Sequence, residues 1–324
     1  MKKSGSVLCQ GSVVKYAMIK GLQRDYPIPF MCRIHDVSPS GYYAWLGRPP
    51  SKRAREEARL EVEIHAAHQR TRETYGPERL QEDLAENGIH TTVHRVKRIR
   101  KKLGIRCKQK RKFKTTTNSN HTLPVAPNLL EQKFMATTPN QIWLTDITCI
   151  PTDEGWLYLA GHKDLFSGDL VGYAMSKRMT RNLVIQSLFR SIAAKRPPRG
   201  LIHHSDRGSQ YCAHEYQKLL DQFGMVASMS RRGNCYDNAP MESFWGLLKN
   251  ELAHHRHFTT RAEAIQSITE YNEIFYRRQR KQARLGYLSP AVFERPFYEK
   301  RLVARFRWFP LLTTCLKLYA LSAP

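Results

Sequence analysis

From Pro139 onward the chain alternates short apolar runs with amphipathic stretches, and this alternation most narrows what it can fold into. Ile142–Ile150, Gly155–Leu165 and Leu170–Met175 read as strands, with turn signals at Asp153-Glu154-Gly155 and Ser167-Gly168-Asp169 between them. Thr180–Lys195 reads as a helix with Leu183, Val184, Ser187, Leu188 and Ile192 on one face. Leu201–His204 is a short buried strand, Tyr216–Phe223 a helix, Met225–Met229 a strand and Asn238–Leu252 a helix. The order β-β-β-α-β-α-β-α predicts an α/β region: a mixed five-stranded sheet with helices against its faces.

Three acids punctuate this region. Asp146 lies inside the first apolar run, Asp206 ends the fourth strand, and Glu242 opens the last helix. An acid inside an apolar strand costs free energy unless something offsets its lost hydration. A divalent cation does so, and three carboxylates around a pair of metal ions is phosphodiester chemistry. Asn238 is the expected N-cap of the last helix, and Pro240 suits its first turn. Met241, Phe244, Leu248 and Leu252 form its core stripe, while Glu242, Gly246 and Lys249 share another face. Taken alone, Glu242 is also explained by the helix dipole. Lys249 is placed to meet a phosphate, and Arg231-Arg232-Gly233-Asn234 reads as a loop able to hold DNA. His203-His204 and His254-His255-His257 lack zinc spacing and read as strand-end or DNA-facing residues. His204, Ser205 and Asp206 do not make a hydrolase triad, because no nucleophile elbow surrounds them.

Charge points to the partner. Fifty-three Lys and Arg oppose 28 Asp and Glu, a net +25. An excess that large and clustered implies a polyanion, DNA above all. It is densest before residue 120. Residues 14–46 read as short helices, with a Ser38-Pro39 start signal, and a charged helix runs from about Ala54 to Arg70. Leu80, Leu84, Val93, Val96, Ile99 and Leu103 keep helical spacing around a turn near Gly88. The second of these helices is expected to turn Arg95, Lys97, Arg98, Arg100, Lys101 and Lys102 to solvent and to DNA. Residues 105–128 begin with Arg106, Lys108, Lys110, Arg111, Lys112 and Lys114, then become polar, and read as an extended tether. Seven scattered cysteines (Cys9, Cys32, Cys107, Cys149, Cys212, Cys235, Cys315) give no metal spacing and imply reduced thiols in a cytoplasm. The start has no signal-peptide pattern. The apolar tail Trp308 to Leu321, broken by Pro310 and Lys317, is too short to span a bilayer, so no membrane insertion is expected.

Four motifs carry a family resemblance: Trp143-Leu144-Thr145-Asp146-Ile147-Thr148; His204-Ser205-Asp206-Arg207-Gly208-Ser209-Gln210-Tyr211; Ser228 to Phe244, which includes Asp237-Asn238-Ala239-Pro240-Met241-Glu242; and Leu285-Gly286-Tyr287-Leu288-Ser289-Pro290. Over about residues 14–295 the chain resembles the second-reading-frame catalytic protein of bacterial insertion-sequence transposases of the IS-three family. Their core is similar to that of retroviral integrases. The resemblance implies an RNase H-like sheet preceded by an all-α helix-turn-helix region. It also implies a DDE triad at Asp146, Asp206 and Glu242, with Lys249 at the family's basic position. Two Mg²⁺ ions, replaceable by Mn²⁺, would serve transposition and integration of element ends in a bacterial, nucleoid-associated cytoplasmic setting. Implied partners are the terminal inverted repeats, target DNA, the partner reading-frame product and further copies on DNA. The expected organisation is an extension at 1–13, helices at 14–70, a helix-turn-helix module at 71–115, a linker at 116–137, the catalytic core at 138–298 and an atypical tail at 299–324. Gln282 stands where relatives often carry histidine. A nuclease without strand transfer, or an idle DNA-binding regulator, remains an alternative.

Overall fold

A computed structural model describes residues 11–108, 123–232 and 234–306, the side chains of Cys235 and of 301–306 excepted. The expected readings at Lys110, Arg111, Lys112, Lys114, Gly233, Cys9, Cys315 and the Trp308–Leu321 tail lie outside the described residues. The chain divides into two compact units, residues 1–63 and 64–324.

The first unit contains α1 (Ser12–Leu22), α2 (Ile28–Ile34), α3 (Pro39–Leu46) and the start of α4 (Lys52–Arg70). Ser38 caps α3, its Oγ accepting the Gly41 amide at 3.0 Å. Ile19, Met31, Cys32 and Tyr42 make its small core.

The second unit takes in the rest of α4, then α5 (Pro77–Glu86) and α6 (Val93–Lys102). Leu80, Leu84, Val96 and Ile99 are buried between α5 and α6, as their spacing predicts. Gly88, at φ +76°, supplies the left-handed turn that ends α5. Two readings of α6 are corrected. Leu103 is the residue after the last turn and is exposed, off the packed stripe. Arg100 does not face solvent: it folds back so that Nη2 lies 3.2 Å from Cys107 Sγ. Lys97, Arg98, Lys101 and Lys102 are exposed and Arg95 half-buried.

The sheet comprises β1 (Ile142–Thr152), β2 (Gly155–Asp164), β3 (Leu170–Ser176), β4 (Ile202–Ser205) and β5 (Val226–Met229), in the order β3-β2-β1-β4-β5. The first three strands form an antiparallel meander, and β4 and β5 join parallel to β1. Helices α7 (Arg181–Lys195), α8 (Ser209–Cys212) and α9 (His214–Gln222) connect them, and α10 (Ala239–Glu251) and α11 (Arg261–Glu270) follow. A π-helical stretch, Tyr271–Gln279, leads to α12 (Pro290–Phe306). This is the predicted mixed five-stranded sheet in the predicted order, and no described helix is long and apolar enough to cross a membrane. The core between sheet and helices holds Trp143, Ala160, Val184, Leu188, Tyr216 and Met229.

The segment 123–137 differs from a tether. Leu123 and Ala126 pack on that core, the Met229 amide donates to Pro127 O at 3.2 Å, and the Leu129 amide to Ser228 Oγ at 2.9 Å. Backbone groups at the sheet edge need partners, and this segment supplies them.

His203 and His204 are strand-end residues of β4, the first of the two readings, and both are buried. His203 Nε2 lies 2.9 Å from Tyr216 OH and 3.1 Å from His162 Nε2, while His204 Nδ1 lies 2.8 Å from Ser228 Oγ. Burial pushes His203 down to about 3 and His204 to about 4. A histidine buried neutral stabilises the fold fully above its unfolded value near 6.5, and loses that contribution as pH falls. The melting temperature is therefore expected to drop steadily between pH 6.5 and 4, and His203→Gln to flatten that slope while lowering stability at pH 7.5. Scanning fluorimetry across the range checks this; an unchanged slope in the variant would contradict it.

Candidate active site

Asp146 sits mid-strand on β1, next to β4 on one side and opposite Gly161 of β2 on the other. Parallel pairing of Ile142, Trp143 and Leu144 with Ile202, His203 and His204 runs the two strands toward the same end. Asp206 follows β4 directly. Its Oδ1 accepts the Gly208 amide at 2.9 Å, closing the turn. The third acid comes from α10. Trp245, one turn beyond Glu242, donates its indole N–H to Asp146 Oδ2 at 3.2 Å, tying this helix to β1.

Electrostatics agree with that convergence. Asp146 is half-buried, and its carboxyl is raised well above the usual range, first by lost hydration and then by the negative charge of Asp206. The Ile147 amide opposes the rise, Glu242 adds to it, and the Trp245 indole opposes it. Glu242 is an exposed residue at the helix start, and partial loss of hydration raises its carboxyl too. Acids that raise one another's affinity for protons also raise it for cations. The donors are carboxylate oxygens alone, which suits a hard divalent ion such as Mg²⁺. Among the described residues no three His, Cys, Asp or Glu side chains already form a closed metal-holding group. The fit to such an ion therefore rests on donor type. The same absence of a metal-holding group covers His254, His255 and His257; His257 Nε2 instead meets Asp153 Oδ1 at 2.8 Å.

Position of α10 depends on residues that pattern reading passed over. Asn238 occupies the N-cap position, but its side chain does not cap. Its Nδ2 donates to Thr145 O, beside Asp146, at 3.1 Å. Asp237, fully buried, accepts from Arg231 N at 2.8 Å, Arg231 Nε at 3.0 Å, Asn128 Nδ2 at 3.0 Å and Gln132 Nε2 at 3.0 Å. The Arg231 side-chain hydrogen bonds hold Asp237 well below the usual carboxylate range. Arg231 is thus bound into the protein and Arg232 is exposed. Lys163, buried on β2, donates Nζ to Pro240 O at 2.8 Å, and burial lowers it to about 7. At the far end of α10, Glu251 accepts from Arg280 Nη2 at 2.7 Å and from Tyr271 OH at 2.7 Å. Lys249 is half-buried on the same helix. Gly246 has open space where a Cβ would stand, so no neighbour within the chain requires glycine there. Only unusual polar residues beside the Asp-Asn-Ala-Pro run could have signalled the Asp237 hub.

The α5–α6 module is fixed to this region. Tyr75 OH donates to Gln279 O at 3.0 Å and accepts the Lys281 amide at 2.7 Å, and Lys281 also pairs with Glu86.

An integrase core domain model matches residues 136–235, a second integrase core domain model residues 242–296, and an HTH-like domain model residues 54–113. A 31 kDa protein of insertion element IS600 from Shigella sonnei is 58% identical over 269 residues, covering 83% of this chain and 99% of that protein. Transposase InsF for insertion sequence IS3A from Escherichia coli K12 is 40% identical over 283 residues, covering 87% of this chain and 98% of that protein. Among solved structures, the catalytic core domain of BIV integrase aligns at 18% identity and a TM-score of 0.38, over 50% of this chain and 99% of that one.

An acid whose proton affinity is raised in the fold adds stability below its unfolded pKa, near 3.9, and loses it as pH rises through the folded value. Asp146→Asn is therefore expected to raise the melting temperature by a few degrees in chelator at pH 7. The gain should vanish below about pH 4. Equal melting at pH 7 would show that Asp146 carries no such strain.

Proposed function

This chain belongs to the insertion-sequence transposase family of the IS3 InsF proteins, and from that premise we propose that Asp146, Asp206 and Glu242 are its catalytic acids. As a transposase it is a polynucleotidyl transferase, acting on the ends of an insertion sequence. What supports the assignment is the upward push on Asp146 by both Asp206 and Glu242, acids far apart in sequence.

Asp146 and Asp206 would hold divalent cations from the sheet, and Glu242 would complete the set from α10. A pair of Mg²⁺ ions, or Mn²⁺ in their place, supplies Lewis-acid activation of the attacking oxygen and charge relief at the leaving oxygen. In the first step water attacks the phosphorus at the element end, and the bond to the 3′ oxygen breaks. In the second, that 3′-OH attacks a target phosphodiester: a bond forms from the element's 3′ oxygen to the target phosphorus, the P–O3′ bond to the adjoining target nucleotide breaks, and that nucleotide leaves with a free 3′-OH. Neither step needs a covalent enzyme intermediate. Lys249 and Arg232 would hold the scissile strand by its phosphates, while Arg231 shapes the loop through Asp237. Arg95, Lys97, Arg98, Lys101 and Lys102 on α6 would bind the terminal repeat. Oligomers on DNA, cooperation with the partner reading-frame product and a place at the bacterial nucleoid complete the proposal. Residues 138–298 are its proposed catalytic core, against which 123–137 packs.

Asp146→Ala and Glu242→Gln are each expected to cut Mg²⁺-dependent nicking of labelled element ends about a thousandfold or more, the effect of several kcal/mol of lost transition-state stabilisation. Affinity for the same DNA should persist. Retained nicking would refute the acid assignment, and nicking without joining would identify a nuclease. Lys101→Ala should weaken DNA binding and reduce the salt slope by about one; an unchanged slope would remove α6 from the interface.

A further inference from the structure

Trp245 does something that the acids alone do not explain. It is buried, 4% exposed, on α10 three residues after Glu242, and its single polar atom reaches Asp146 Oδ2 at 3.2 Å. A buried indole N–H needs a partner. Any acceptor would satisfy it, yet it has the carboxylate that cation binding most requires to be oriented. The opposite strand makes room for the ring. Gly161 is the register partner of Asp146, and a Cβ there would stand 3.1 Å from Trp245 Cη2, 2.9 Å from Leu170 Cδ1 and 3.4 Å from Met241 Cε. An alanine there would push the tip of Leu170 aside and make the ring give by a few tenths of an ångström. The Phe244 ring, 5.0 Å away between centroids, packs beside the indole. The donor is also neutral. An Arg or Lys at this point would orient Asp146 but compete with a cation for its charge; an indole orients it and leaves the charge intact.

We propose that Trp245 is a positioning residue for divalent cation binding: its indole N–H fixes the carboxylate of Asp146, and Gly161 is the residue that lets the ring lie there. This rests on the reading that Asp146 holds a cation. Hydrogen-bond partners behind a metal ligand typically contribute 10–100-fold to metal affinity or activity.

The test uses the full chain in three variants, with two readouts. Trp245→Phe keeps an aromatic ring and removes the donor; Gly161→Ala keeps the donor and displaces the ring; Asp146→Asn removes the ligand charge. Mn²⁺ affinity is measured by the loss of free-ion signal in electron paramagnetic resonance, and nicking of element ends is titrated against Mg²⁺. Trp245→Phe and Gly161→Ala are each expected to raise the Mn²⁺ Kd and the half-saturating Mg²⁺ on the order of tenfold. DNA affinity should not change, and most of the nicking rate should return at saturating Mg²⁺. A purely structural role would lower the maximal rate and leave half-saturation where it was, which would overturn the proposal. Should one variant fail to fold, the other carries the same comparison. Asp146→Asn separates the two levels: undiminished Mn²⁺ binding there sinks the cation reading itself, whereas binding lost there but normal in Trp245→Phe and Gly161→Ala sinks only the role of Trp245.

Discussion

The rest of the second unit is organised around one unfavourable interaction: a carboxylate on the central strand, short of hydration and facing two more negative charges. No apolar sheet would keep such a group for stability, since burying an unpaired charge costs far more than the strand gains. The surrounding structure limits the damage without removing it. Neutral donors, the Ile147 amide and the Trp245 indole, stabilise the charge, and among the described residues no cationic side chain is hydrogen-bonded to Asp146. The raised proton affinity of Asp146 is the mark this setting leaves. Stored strain of this kind is commonly found at functional sites.

Holding a helix-borne acid against such a strand requires the helix to be fixed along its length. At its start, Asn238 bonds to the β1 carbonyl beside Asp146, and Lys163 from β2 holds Pro240 O. Before it, buried Asp237 accepts hydrogen bonds from Arg231, Asn128 and Gln132. At its end, Glu251 is locked by the buried Arg280 and Tyr271. Breaking a buried, hydrogen-bonded ion pair leaves an uncompensated charge, so the Arg280–Glu251 clamp is costly to lose. Arg280 lies next to Lys281, whose amide bonds Tyr75 of the DNA-binding region. The α5–α6 module and the helix carrying Glu242 therefore share one rigid support.

Much of this fold was legible in the sequence because its signals are local. Period-two and period-3.6 patterns located five strands and the helices between them, with ends off by a residue or two, as at Ile142–Thr152. The α5–α6 pair followed from Leu80, Leu84, Val96 and Ile99 for the same reason. What escaped was long-range. Nothing near Asn238 in sequence reveals that its amide would reach Thr145, and nothing near Asn128 or Gln132 reveals Asp237, over a hundred residues away. Composition misled at 123–128, where polar and proline-rich sequence looks like a tether but satisfies the backbone of β5. At His203 and His204 the buried strand was legible, but its side-chain network with Tyr216, Ser228 and Ser230 was not. The three acids were singled out by their unlike settings and by the motifs around them, and their chemical roles are proposals that no sequence pattern decides.

The most direct measurement is anomalous diffraction from crystals of the chain bound to an element end and soaked in Mn²⁺. Ion density bounded by the carboxylates of Asp146 and Asp206, with Glu242 drawn in from α10, is the expected result. Fully occupied ions elsewhere on the DNA, with none between those two carboxylates, would contradict it.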